Sequence, residues 1–65
     1  MIGKLAKEYA GIEQEVQVLR SAAGYYIGTE DDEGPISRES EEYWPSSAEA
    51  EQALSANTWT QQYYV

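Results

Sequence analysis

The spacing of apolar residues changes character at Tyr25, and that change limits the folds open to this chain. Before it, Ile2, Leu5, Tyr9, Ile12, Val16 and Leu19 follow a 3-4-3-4-3 spacing, which places them on one face of a helix. After it, aromatic and β-branched residues crowd together as YYIGT, Tyr25 to Thr29, in the manner of a strand. A chain that begins helical and continues in strands reads as α+β.

The punctuation refines this. Gly11 is costly inside a helix, so it divides the first segment into helices near 2–10 and 12–20. The SAAG stretch then offers a helix end with Gly24 as a left-handed cap. A strand through EVQVL competes with the second helix, because Val16 and Val18 alternate with polar residues; the helix is favoured since its pattern covers more residues. EDDEGP is a turn, with Gly34 and Pro35 as breakers. ISRES, extended by EEYW, forms a second strand. Ser46 stands three residues before Glu49 as a capping box, opening a helix over 47–55 with Ala50, Ala53 and Leu54 on its apolar side. Asn57 ends it. TWTQQYYV is the last strand, with Trp59, Gln61, Tyr63 and Val65 on one side. The expected architecture is one domain over 1–65: a helical part over 1–23, then strand, turn, strand, helix and strand over 24–65. An antiparallel sheet of about three strands lies under two or three short helices.

A chain of 65 residues is near the lower limit for folding on a single core, which supplies roughly 3–5 kcal/mol at this size. Cysteine is absent, so no disulfide can staple the fold and no thiolate can hold zinc. Six Tyr and two Trp argue against disorder, since each ring can bury roughly 150–250 Å². The N-terminal apolar residues are interrupted by Lys4, Lys7 and Glu8, which argues against a signal peptide. There is no apolar run of membrane-spanning length.

Charge is distributed unevenly. In residues 1–20, Lys4, Lys7 and Arg20 balance Glu8, Glu13 and Glu15. Residues 21–65 hold nine acids against Arg38 alone, so the whole net charge of −8 lies there. Such an asymmetry suggests one strongly negative surface.

Most chemistry is disfavoured. Histidine is absent, which removes the usual general base and the commonest metal ligand. Setting Gly34 at the glycine of a calcium loop puts Thr29, Asp31 and Glu33 at the first ligand positions, but Ser40 falls where a bidentate Glu is needed. Paired carboxylates suit glycoside hydrolysis, but so short a chain does not easily build a cleft that desolvates one of them. No catalytic residue, metal or cofactor is expected. A chain this negative would repel a phosphate backbone, so direct nucleic-acid binding is not expected either.

Binding through negative charge remains. Phosphates rise about 3.4 Å apart along each DNA strand, and strand residues two apart lie roughly 6.5–7 Å from one another on one face. Glu39 and Glu41 have that relation. Glu30, Asp31, Asp32 and Glu33 form a dense cluster at the turn, and Glu42, Glu49 and Glu51 extend it. These nine are the candidate partner-binding residues. A row of carboxylates can stand in for phosphates before a basic groove. The same charges also suit a solvated face or an edge strand defended against aggregation.

In size, charge, lack of Cys and His, and short helices around an antiparallel sheet, the chain resembles the small acidic inhibitors that bacteriophages use against host defence. More narrowly, it resembles the anti-CRISPR proteins that inhibit type I effector complexes as DNA mimics, in particular inhibitors of the type I-C complex. The resemblance implies binding to the Cascade surveillance complex at the Cas8-type subunit that reads the PAM, and a block on target DNA. A monomer in the cytoplasm of the infected bacterial host is expected. Acidic immunity proteins and antitoxins, which cover basic nucleases, form a second class. Mimics directed at restriction or nucleoid proteins, and phage proteins whose charge has no specific partner, complete the set.

Overall fold

The computed structural model describes residues 2–11 and 14–62, with the backbone alone for residues 9 and 10. The elements run α1 (Lys4–Ala10), β1 (Gln17–Ser21), β2 (Gly24–Asp31), β3 (Gly34–Arg38) and α2 (Ser47–Ala56). The three strands form an antiparallel sheet in the order β1-β2-β3. With two helices packed on it, this is a small α+β fold.

Helix α1 stops where the sequence said a helix should be interrupted. Gly11 takes a left-handed conformation, and its N–H caps the carbonyls of Ala6 and Lys7. Among the described residues from 14 to 21, no second helix follows. Residues 17–21 pair with β2 from Gln17↔Gly28 to Ser21↔Gly24, which corrects the helix expected over 12–20. Val16 and Leu19 fit the 3–4 stripe, Val16 and Val18 fit the strand alternation, and pairing with β2 decides between the two. Tyr9 and Ile12, the middle of the expected stripe, lie outside the described side chains.

SAAG is therefore a hairpin turn and not a helix end. It is built like the acidic turn ten residues later. In each, a short side chain opens the turn and accepts the N–H two residues on: Ser21 Oγ from Ala23 at 3.2 Å, Asp31 Oδ1 from Glu33 at 2.8 Å. In each, glycine closes it at positive φ, 130° at Gly24 and 127° at Gly34, a conformation strained for any residue with a Cβ. SAAG and DDEG are two copies of one turn pattern.

Strand β2 is the centre of the molecule. Its successive residues Tyr26, Ile27, Gly28 and Thr29 are all buried, so both faces are covered. Helix α1 packs against β3, and α2 against β1 and β2. Leu5, Ala6, Leu19, Tyr26, Ile27, Ala50 and Ala53 form the apolar core. Leu54 is half-buried beside it.

Strand β3 ends at Arg38, short of the Trp44 expected. The N–H groups of Glu39 and Ser40 both bond to the carbonyl of Ile27, at 2.8 and 2.9 Å. Two residues against one break the ladder and turn Glu39 inward. Further along, Trp44 returns to β2 and exchanges backbone hydrogen bonds with Tyr25.

Helix α2 forms as the sequence indicates. Ser46 accepts the Glu49 N–H, and its hydroxyl donates to the Glu49 carboxylate. At the other end Asn57 is left-handed, and the N–H groups of Asn57 and Thr58 return to Leu54 and Ala53, a Schellman closure. The expected last strand is not part of the sheet over residues 58–62. That segment runs beside residues 39–42, with Glu41 N–H to Thr60, Gln62 N–H to Glu39, and one bridge, Ser40↔Gln61. Tyr63 and Val65 lie outside the described residues.

Candidate functional site

The nine candidate carboxylates do not form one row. Seven are exposed: Glu30, Asp31, Asp32, Glu33, Glu41, Glu49 and Glu51. Four of these are consecutive. They occupy the end of β2 and the turn into β3, where Asp31↔Gly34 is the last ladder pair. A β-bulge lies between Thr29 and Glu30, so the regular strand spacing stops where the acids begin.

Glu39 is a correction. It was expected on a solvent face beside Glu41, but it is completely buried. Its Oε1 accepts the Leu5 N–H at 2.9 Å and the Gln61 amide at 2.9 Å. Its Oε2 accepts the Ala6 N–H at 3.1 Å and the Ser37 hydroxyl at 2.5 Å. Because the Ser37 proton goes to the carboxylate, the 2.7 Å contact between Thr29 and Ser37 has Thr29 as its donor. Burial by itself would raise the Glu39 pKa. The Leu5 N–H, the Ser37 hydroxyl, the Gln61 amide and the Ala6 N–H together outweigh it, and the pKa lies below the ordinary value. The carboxylate thus caps α1, whose own N-cap, Gly3, has no side chain to offer. Gly3 is small because Glu39 and Thr29 fill the space. A Cβ there would stand 2.4 Å from Thr29 Cγ2 and 2.9 Å from Glu39 Oε2.

Glu42 is half-buried and also structural. Both its oxygens accept the Thr60 N–H, at 2.9 and 3.0 Å. Here too burial raises the pKa, but the Thr60 N–H, the Thr60 side chain and its own backbone N–H bring it below the ordinary value. Glu41, one residue earlier, is exposed. On α2, Glu49 and Glu51 flank the buried Ala50. Side chains two apart on a helix diverge, so these two acids point to different sides.

Arg38, the lone base of residues 21–65, bonds to neutral groups. Its Nε donates to Gln62 Oε1 at 3.0 Å, a second guanidinium nitrogen donates to the same oxygen, and the third donates to the Tyr43 hydroxyl at 2.6 Å. Tyr43 in turn meets Tyr26 edge-on, with centroids 5.9 Å apart. Tyr26 has a raised pKa, from burial first, then from Tyr43 and the charge of Glu30. The sequence-based list missed Arg38, Tyr43 and Gln62. The available signal was that Arg38 alone interrupts nine acids.

The groove beside α2, lined by Trp44, Glu49, Gln52, Ala53, Ala56 and Thr58, is shallow. It has one ionisable group, Glu49, among the described residues, which does not supply an acid–base pair. No helix among the described residues is long and apolar enough to cross a membrane. Comparison of the chain with family models, curated proteins and solved structures gave no match.

Proposed function

We propose that the chain is an inhibitor that binds a basic, DNA-binding protein surface through its exposed carboxylates, with a type I Cascade complex as the target. The observation that carries this reading is the acidic hairpin end. Glu30 to Glu33 are four exposed acids in succession, and Arg38, the only base of residues 21–65, gives its hydrogen bonds to neutral partners. Crowded like charges repel one another in the free protein, and a partner rich in Lys and Arg relieves the repulsion. In this reading the hairpin end and Glu41 occupy the place of target DNA on the Cas8-type subunit that reads the PAM, in the cytoplasm of an infected bacterium. Glu39 and Glu42 have no direct part in it, being committed to the fold.

Single rim contacts of this type are worth about 0.2–1 kcal/mol, because exposed ion pairs are screened. The test therefore reverses several acids at once: Glu30→Lys, Asp32→Lys, Glu33→Lys and Glu41→Lys in one variant. The wild type is expected to block binding of target duplex by purified type I-C Cascade, and to do so less well as salt rises. The fourfold variant is expected to stay folded and to block nothing. Glu8→Lys, in the charge-balanced segment 1–20, is expected to block as the wild type does. Full inhibition by the folded fourfold variant would sink the reading. So would saturating wild type that leaves DNA binding untouched.

A further inference from the structure

The mimicry reading explains attraction but not a lasting grip, since screened rim charges steer encounter more than they slow dissociation. The structure has a better candidate for the grip beside the acids. Tyr43 is 38% exposed, one of two large hydrophobic residues left exposed among the described residues. The other, Ile2, belongs to the charge-balanced N-terminal segment. Tyr43 is also held. Tyr26 supports its ring edge-on at 65°. The Arg38 guanidinium carbon lies 5.0 Å from its ring centroid, and Arg38 donates to its hydroxyl. Arg38 is fixed in turn by two donations to the buried Gln62.

This use of Arg38 calls for a reason. In a segment with nine acids, its guanidinium would gain more from a carboxylate than from a phenol and an amide. Bonded as it is, it braces an exposed aromatic ring. A ring already fixed in place loses little conformational entropy on binding, and Tyr is, with Trp and Arg, among the residues that most often dominate interface energies. The surroundings indicate the partner. Glu41 and Glu42 precede Tyr43 directly, and Glu30 is near enough for its charge to act on Tyr26. An aromatic anchor with an acidic rim complements a basic surface, where the apolar stems of Lys and Arg can pack on the ring.

We propose that Tyr43, braced by Arg38, is the anchor of the partner interface, packing among Lys and Arg stems of the basic surface while the carboxylates at 30–33 and 41 steer the approach. The proposal rests on the mimicry reading and adds a division of labour to it: the acids set the association rate and Tyr43 sets the dissociation rate.

The experiment measures both rates on immobilised type I-C Cascade free of target DNA, at several salt concentrations. Tyr43→Ala is expected to raise the dissociation rate about thirtyfold, with the association rate and its salt slope unchanged. Tyr43→Leu retains an apolar contact on Tyr26 and guards against a folding defect in the alanine variant; it is expected to show the same rise. Tyr43→Phe keeps the ring and is expected to stay within about threefold of wild type. Circular dichroism checks each fold. If the folded Ala and Leu variants dissociate at the wild-type rate while the fourfold acid variant has lost binding, the anchor is refuted and the mimicry reading stands. If the fourfold variant also binds normally, or the wild type does not bind, both are refuted.

Discussion

Glu39 caps a helix that lies 34 residues before it in the chain: its Oε1 is 2.9 Å from the backbone nitrogen of Leu5. The same carboxylate takes the Ala6 N–H, the Ser37 hydroxyl and the Gln61 amide. One side chain thus joins α1, β3 and the C-terminal segment. Replacing it isosterically should reveal a structural role. Glu39→Gln turns one acceptor into a donor that faces other donors, and is expected to cost about 1.5–3 kcal/mol. That is a large part of the roughly 3–5 kcal/mol that a core of this size supplies. Urea denaturation followed by tryptophan fluorescence measures it. A Glu39→Gln protein as stable as wild type would show that the buried charge is not needed.

The same residue makes stability depend on acidity. Its folded-state pKa is lowered from 4.5, and so is that of Glu42. For a depressed carboxylate, the stabilisation is fully present above the unfolded-state pKa and is lost as pH falls through the folded-state value. The difference in stability between wild type and Glu39→Gln is therefore expected to be constant at neutral pH. It should shrink as pH falls below about 4.5. Denaturation curves for the two proteins from pH 7 to pH 3 test this, and a difference that grows on acidification contradicts it.

The fold class was legible in the sequence because much of the relevant information is local. The YYIGT strand, the acidic turn, the Ser46–Glu49 cap and the Asn57 stop all depend on residues within a few positions. What was hidden depends on distant partners. Val16 fits the helical stripe with Leu19 and the strand alternation with Val18, and only pairing with β2 makes the neighbouring 17–21 segment a strand. Glu39 and Glu41 look like neighbours on one strand face, yet a single carbonyl, that of Ile27, takes two successive N–H groups and turns Glu39 inside. Nothing around Glu39 in the sequence shows that α1 begins with a glycine in need of a cap. The site was half legible for the same reason. The acids at 30–33 are crowded in any conformation, whereas the Arg38–Tyr43–Gln62 arrangement needs residues 24 positions apart to meet.

Gly3 tests the packing around that cap. A methyl group there would meet Thr29 Cγ2 at 2.4 Å, beside a carboxylate oxygen at 2.9 Å. Both neighbours are fully buried, so neither can withdraw into solvent. Gly3→Ala is expected to destabilise by about 1–3 kcal/mol, although alanine favours helices elsewhere. Thermal denaturation reads it. A neutral or stabilising effect would mean that Thr29 and Glu39 shift more easily than their hydrogen bonds suggest.

Glu41 and Glu42 are adjacent, alike in chemistry and different in task. Glu42 accepts the Thr60 N–H through both oxygens, so Glu42→Gln is expected to weaken the fold by about 0.5–1.5 kcal/mol, at the lower end because the pair is partly solvated. Glu41 is exposed, and Glu41→Gln should leave stability within about 0.5 kcal/mol of wild type. Binding should respond the other way. Removing the Glu41 charge should slow association with a basic partner and flatten its salt dependence, while Glu42→Gln, measured where it is fully folded, should change neither. Paired stability and association-rate measurements on the two variants separate a carboxylate that holds the fold from one that faces a partner. If both variants lose association rate equally, the distinction drawn from burial and hydrogen bonding is wrong.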